Sequence, residues 1–293
     1  MFLLPSSSRW LGRAESARPS MAFIVGCARS GTSILGELIA AHPSVKYVFE
    51  ATKVWESIGR RPDGSHRLTA ADTSWGVRRR IRRQFARCHG HCEPGGVVIE
   101  KCPRNALRIP FLHRMFAHAR FIHIIRDGRD VACSLVPGLA SGRWQHLRPP
   151  DWRQIETQYE GVARCAMAWR SIVELAMEDL REVPHLEVRY EDLVCDPLEA
   201  AQAILRFLEL DDSPAVAEFA GRVQNETAGS YQAQFQVRWF RNDHATRIGR
   251  WRENLSPREQ GQVHELIGPL LWRLGYGPEQ PNNQPVSSFR EAI

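Results

Sequence analysis

The residues whose types and spacing first suggest chemistry are Gly26-Cys27-Ala28-Arg29-Ser30-Gly31-Thr32-Ser33. Two glycines bracket four residues, with an apolar run before them and a helix-like stretch after. Such a turn presents backbone N–H groups and a helix N-terminus to an anion. The spacing is that of a nucleotide phosphate loop, except that Thr32 stands where the loop lysine belongs. The usual contact to terminal phosphates is therefore lost, and a cation, Arg29, lies inside the loop instead. The plain alternative is an ordinary strand-to-helix turn, and the strand–loop–helix context favours the anion cradle. Cys88-His89-Gly90-His91-Cys92 packs four metal-ligand types into five residues. That is too compressed for a structural zinc site, so a surface loop is expected, and no metal. Arg78, Arg79, Arg80, Arg82, Arg83 and Arg87 crowd one segment, threaded by Val77, Ile81 and Phe85 at helical spacing. This predicts a helix with one apolar stripe. Its basic face is either simply solvated or an acceptor site for an anionic glycan, lipid or peptide.

These residues need a scaffold. Residues 22–25, 97–99 and 121–125 are short, largely apolar runs that read as strands, and residues 185–190 read as a fourth strand. Residues 32–41, near 105–116, from 127, 159–180, 197–208 and 257–274 read as helices. Strands alternating with helices predict an α/β fold with a central parallel sheet and helices on both faces. One domain is expected over residues 21–278, with a less regular insert at about 55–95 on the acceptor side. Residues 1–20 and 279–293 read as loose tails.

The chain has 293 residues with 43% hydrophobic and 25% charged, ordinary values for a globular chain that exclude a mostly disordered or fibrous one. No run approaches the ~20 apolar residues of a membrane span. Net charge is +6, carried almost wholly by arginine, since the only lysines are Lys46, Lys53 and Lys101. Arginine is the better fork-shaped ligand for phosphate and sulfate oxygens. Seven scattered cysteines argue against a disulfide framework and for a reducing compartment, and a cytoplasmic location is expected.

Four segments, in order, resemble the cofactor motifs of sulfotransferases that use 3′-phosphoadenosine 5′-phosphosulfate. Arg29-Ser30-Gly31-Thr32-Ser33 resembles the loop that holds the 5′-phosphosulfate. Arg126 and Ser134 match the family's strand-end arginine and the serine eight residues on, which bind the 3′-phosphate. Arg189-Tyr190-Glu191-Asp192-Leu193 places Tyr190 where the family approaches the adenine. Residues 246–255, with Arg247, Gly249 and Arg250, resemble the late loop that closes over the 3′-phosphate, and Trp251 there reads as packing. The resemblance spans residues 22–255. It implies a phosphate-loop α/β fold, a 3′-phosphoadenosine 5′-phosphosulfate co-substrate and no metal.

The resemblance also implies the reacting groups. Arg29 is expected on the leaving phosphate, and Lys101 matches the strand-end lysine that contacts the transferring group. Members with a histidine base carry it two residues after that lysine, where this chain has Pro103. Residues 41–50 resemble the branches that use a glutamate, which makes Glu50 the expected general base, ahead of Glu56 and His42. His42 also reads as a helix-end cap. Trp144, Trp152 and the Arg148-Pro149-Pro150 loop either gate an acceptor or pin a loop. The acceptor is expected to be a hydroxyl on a carbohydrate, lipid, peptide or small natural product. Two rivals have less support. A nucleotide kinase or NTPase needs the missing loop lysine. A nucleic-acid-binding module leaves the ordered motifs unexplained.

Overall fold

The computed structural model describes residues 19–56, 58, 61–89, 92–142, 147–225, 247–277 and 290–292. The apolar runs become five parallel strands: β1 (Ser20–Val25), β2 (Val45–Phe49), β3 (Val97–Lys101), β4 (Arg120–Ile125) and β5 (His185–Arg189). A sixth, β6 (Arg290–Ala292), pairs antiparallel with β5, and the sheet order is β2-β3-β1-β4-β5-β6. Between them run α1 (Thr32–Ala40), α2 (Thr52–Glu56), α3 (Trp75–His89), α4 (Ile109–Met115), α5 (Gly128–Ala140), α6 (Trp152–Gln158) and α7 (Gly161–Leu180). After β5 come α8 (Tyr190–Cys195), α9 (Pro197–Phe207) and α10 (Pro214–Asn225). A short helix, Trp251–Asn254, precedes the long helix Pro257–Arg273.

Successive side chains of a strand point to opposite faces, and the core divides accordingly. On one face Phe23, Val25, Val98 and Phe121 pack with Ile81 and Phe85 of α3, Trp169 of α7 and Ile267 of the long helix. On the other, Ala22, Ile24, Ile99 and Ile122 pack with Leu35 and Leu38 of α1, Ile204 of α9 and Phe219 of α10. Each such fully buried large side chain stabilises the fold by about 1.5–3 kcal/mol. Neither face of the sheet could be left bare.

The register sets the site. Ile24 and Phe49 both lie level with Lys101, Val25 with His123, and Ile125 with Arg189. The strands thus end along one edge. Glu50, Lys101, Gly26, Arg126 and Tyr190 follow each other across it, where parallel sheets bind ligands.

The architecture agrees with expectation in class and in the four strands foreseen. Three details differ. The alternating edge strand β2 was not foreseen, nor were α2, α6, α8 and α10. The helix expected near 105–116 is a 3₁₀ turn, Pro103–Leu107, followed by α4. Pro110 lacks an N–H to bond backwards, so a new helix begins with it in the first turn. The C-terminal tail, expected to be loose, contributes β6, which covers β5's otherwise unpaired edge. Residues 1–18 lie outside the described residues.

Candidate active site

The phosphate loop has the form its sequence implies. Gly31 caps α1 at φ 92°, a left-handed conformation that favours glycine. Space requires it too: a Cβ there would lie 2.4 Å from Cδ2 of Tyr190. Arg29 also has positive φ, 74°, costly for a side-chain-bearing residue. Its Nε donates to Ser134 Oγ at 3.0 Å, joining the loop to α5 across 105 residues of chain. Ser30 is 1% exposed, and its Oγ has no hydrogen-bond partner. A buried hydroxyl is rarely left unmet, so it is suited to an incoming oxyanion. Thr32 is buried and Ser33 half-buried at the helix start. Burial pushes the Cys27 thiol up to about 12, so it is no nucleophile.

Arg126, 5% exposed, holds three segments together. Nη1 donates to the Arg29 carbonyl at 3.1 Å and Nη2 to the Arg247 carbonyl at 2.7 Å. Its Nε has no hydrogen-bond partner. The guanidinium sits 4.3 Å over the ring of Tyr190, which is itself 2% exposed and lies against Gly31. Asp130, one helical turn on, secures the late loop. Its Oδ2 accepts from the Gly249 N–H at 2.7 Å, and its Oδ1 from the Trp251 N–H at 3.0 Å. Burial and the nearby Asp127 push Asp130 up to about 6. Trp251 is sandwiched by Arg129 at 4.3 Å and Arg252 at 4.6 Å, in keeping with a packing role. Glu191 Oε1 accepts from the Asp127 N–H at 3.1 Å and Oε2 from the Tyr276 hydroxyl at 2.9 Å. Arg247 and Arg250 are half-buried on the same loop.

At the other end of the strand edge, Lys101 Nζ donates to Glu50 Oε1 at 2.7 Å. The Lys101 side chain is 2% exposed and that of Glu50 38%, so the pair reaches from the core to an open carboxylate. A buried ammonium needs such a partner. The Phe49 ring lies 4.0 Å from the same nitrogen. Glu50 stands at φ 43°, an uncommon conformation for glutamate, and its N–H bonds the Lys101 carbonyl at 2.8 Å. Glu37 of α1 also faces this lysine. Burial pushes its carboxyl up to about 7, and Lys101 pulls it back. Sequence reasoning missed Glu37. The signal was a carboxylate among the apolar positions Ile34, Leu35, Leu38 and Ile39.

A cavity of about 760 Å³ is lined by Trp55, Glu56, Arg104, Arg108, Arg148 and Trp152 among others, Trp55 and Arg104 following Glu50 and Lys101 closely in the chain. Residues 61 and 64–66 of the expected insert contribute to its wall. Trp152 both lines the cavity and is pinned, its Nε1 donating to the Asp63 carbonyl at 3.1 Å. His42 is engaged elsewhere. Its Nδ1 accepts from the Ser44 N–H at 3.0 Å, and Nε2 meets the Asp211 carbonyl at 3.1 Å, so it shapes the turn after α1. In α3, Arg78 and Arg82 donate to the carbonyls of Arg114 and Met115 at the end of α4, a structural use of two cluster arginines. Trp144, Gly90 and His91 lie outside the described residues; α3 runs through Cys88 and His89, so the first half of the cluster expected as a surface loop closes a helix instead.

Three comparisons bear on this arrangement. The family profile described as Sulfotransferase family matches residues 20–214. Protein-tyrosine sulfotransferase 1 of Danio rerio is 24% identical over 273 residues, covering 87% of this chain and 72% of that protein. The sulfotransferase domain of the curacin biosynthetic pathway superposes with a TM-score of 0.56 at 17% identity, over 87% of this chain and 98% of that one. A mouse sulfotransferase solved in complex with PAP superposes at 0.52 with 15% identity, over 89% and 88%. At such identities the structural likeness concerns the fold.

Proposed function

The chain belongs to the sulfotransferase family, and from that premise we propose that it transfers a sulfuryl group from 3′-phosphoadenosine 5′-phosphosulfate to an acceptor hydroxyl. The observation that carries this reading is the strand-edge array. An anion cradle with an unmet Ser30 hydroxyl and a buried Arg126 lies along the same strand edge as the Lys101–Glu50 pair, whose carboxylate is open to solvent. The mouse structure solved with PAP supports the nucleotide.

The cradle fits the nucleotide. The N–H groups at the start of α1, with Ser30, Thr32 and Ser33, hold the 5′-phosphosulfate. Arg126 Nε, Ser134 and the loop carrying Arg247, Gly249 and Arg250 hold the 3′-phosphate. Arg29, now donating to Ser134 Oγ, spans both regions. Tyr190, expected beside adenine, is buried under Arg126 and Gly31, so we assign it the positioning of those two residues. When bound, the nucleotide supplies an activated sulfuryl group. Glu50 takes the proton from the acceptor hydroxyl as that oxygen attacks sulfur. Lys101 Nζ holds Glu50 in place and offers charge to the transferring oxygens, and Arg29 offers charge to the departing phosphate. The acceptor enters through the cavity. Cys27, Cys92, Cys102, Cys133, Cys165 and Cys195 form no disulfide among the described residues, which supports a reducing, cytoplasmic setting.

The test is transfer itself. The protein is incubated with 3′-phosphoadenosine 5′-phosphosulfate and a panel of phenols, sugars and tyrosine peptides. Mass spectrometry then looks for an added sulfuryl group. Calorimetry without magnesium should show 3′-phosphoadenosine 5′-phosphate binding far more tightly than ATP. Equal affinities, or an absolute need for magnesium, would overturn the reading.

A further inference from the structure

The cavity lined by Trp55 and Trp152 has a chemistry of its own. Five arginines line it, Arg61, Arg104, Arg108, Arg148 and Arg164, against two glutamates, Glu56 and Glu156, both exposed. Two of the five are occupied. Arg61 is paired with Asp72 at 2.8 Å, and Arg164 donates to the carbonyls of Tyr159 and Glu156. Arg148 lies 4.5 Å over the Trp152 ring. Arg104 and Arg108 enter no ion pair among the described residues.

Arg108 is the unusual member. It is 5% exposed, at the junction of the 3₁₀ turn and α4. Its Nε makes one long bond, 3.4 Å, to the His66 carbonyl, and its buried Nη1 has no partner among the described residues. The Trp55 ring lies 5.5 Å from the guanidinium. Buried Glu100 is near enough to stabilise Arg108's charge, but its carboxylate is bonded to the Ala51 N–H, the Trp55 indole and the Asn105 amide. Burial therefore lowers the pKa of Arg108, and neighbouring Arg104 lowers it further. A buried guanidinium with an unmet donor is costly unless a ligand meets it.

We propose that Arg104 and Arg108 form an anion subsite for the acceptor, which is a small molecule carrying an oxyanion group on an apolar body. The oxyanion is a carboxylate, phosphate or sulfate ester. Trp55 and Trp152 face the body, and its hydroxyl points toward Glu50. The proposal rests on the transferase reading for that last contact alone. Chain geometry supports it: Trp55 lies five residues past Glu50, and Arg104 three past Lys101. The volume of about 760 Å³ is that of a pocket for one small ligand, typically about 300–1,000 Å³. The anionic acceptor that the sequence suggested for the α3 arginines is thereby assigned to different residues.

Binding of para-hydroxyphenylpropanoate is compared with that of its uncharged methyl ester by calorimetry, on protein saturated with 3′-phosphoadenosine 5′-phosphate. The carboxylate should bind about tenfold or more tightly. Arg104→Gln should reduce that preference to near unity and leave the ester unchanged. Arg108→Lys, which keeps the charge but not the fork, should reduce it in part, with the fold checked by circular dichroism. Arg80→Gln and Arg83→Gln on α3 should leave it intact. Equal binding of the two compounds, or of neither, overturns the subsite. So does a preference that survives Arg104→Gln, or much tighter binding of an acidic tyrosine peptide than of the propanoate. Failure of the nucleotide to bind would overturn the transferase reading instead, and that is measured separately.

Discussion

Glu37 allows a prediction whose size follows from the structure. Glutamate ionises ordinarily near 4.5, and burial pushes this one up to about 7, with Lys101 pulling the other way. Between those values the folded chain keeps a proton that the unfolded chain has released. Its contribution is thus fully present below about pH 4.5, declines as pH rises, and levels off above about 7. The gap converts at about 1.4 kcal/mol per unit to about 3 kcal/mol, or about 2–3 after allowing for screening by nearby water. Glu37→Gln keeps the shape and removes the charge. Thermal melts of both proteins from pH 4.5 to 8 give the difference curve, which cancels other groups that titrate there, such as Asp130 and Glu191. The variant should gain on the parent as pH rises. At pH 8 the gain should be about 4–12 °C in Tm, at about 2–4 °C per kcal/mol for a chain of this size. Parallel curves would show that Glu37 does not carry a buried charge beside Lys101.

Glu50→Gln should fold and bind 3′-phosphoadenosine 5′-phosphate nearly as the parent does, with turnover reduced about 10²–10⁴-fold; near-normal turnover removes Glu50 as the base. Arg126→Ala and Ser134→Ala should weaken that ligand by about tenfold or more and weaken adenosine 5′-phosphate much less, and equal losses for both ligands would remove the 3′-phosphate assignment. In Asp130→Asn one acceptor of the pair serving the Gly249 and Trp251 N–H groups is lost, so hydrogen exchange at those amides should accelerate while the core strands keep their protection. Gly31→Ala sets a Cβ 2.4 Å from the Tyr190 ring at φ 92°, so it should lower Tm and nucleotide affinity together, and an unchanged affinity would separate that ring from the cradle.

The segments proposed for the cofactor stand close together in the chain and those proposed for the acceptor do not, for a physical reason. A phosphate is gripped by backbone N–H groups and by side chains one helical turn from a strand end. The residues proposed to hold it therefore fall in short segments: residues 26–33, Arg126 with Ser134, and Arg247 with Gly249. Their order along the chain carries the resemblance to the family's motifs. The strands β1, β3 and β4 were legible as near-continuous apolar runs buried on both faces, whereas β5 alternates, with Leu186 and Val188 buried between half-buried neighbours. Half-exposed β2 was not legible, and its end positions Glu50.

The cavity proposed for the acceptor is assembled from segments around Trp55, His66, Arg104, Leu139, Arg148 and Arg164, which no periodicity links. Its most telling member, Arg108, looks in sequence like any of the chain's many arginines. What sets it apart is burial, and burial there follows from Pro110, which ends the 3₁₀ turn and starts α4 at that point. The conspicuous arginine run in α3 is the opposite case. Its apolar stripe, Ile81 and Phe85, faces the core, and that turns most of the arginines outward. In solvent, an arginine is already satisfied by water. Strong anion recognition needs charges that the fold has desolvated and left unpaired. By that criterion the few arginines inside the cavity outweigh the many on the helix face, and the acceptor's charge should be sought beside Trp55 rather than along α3.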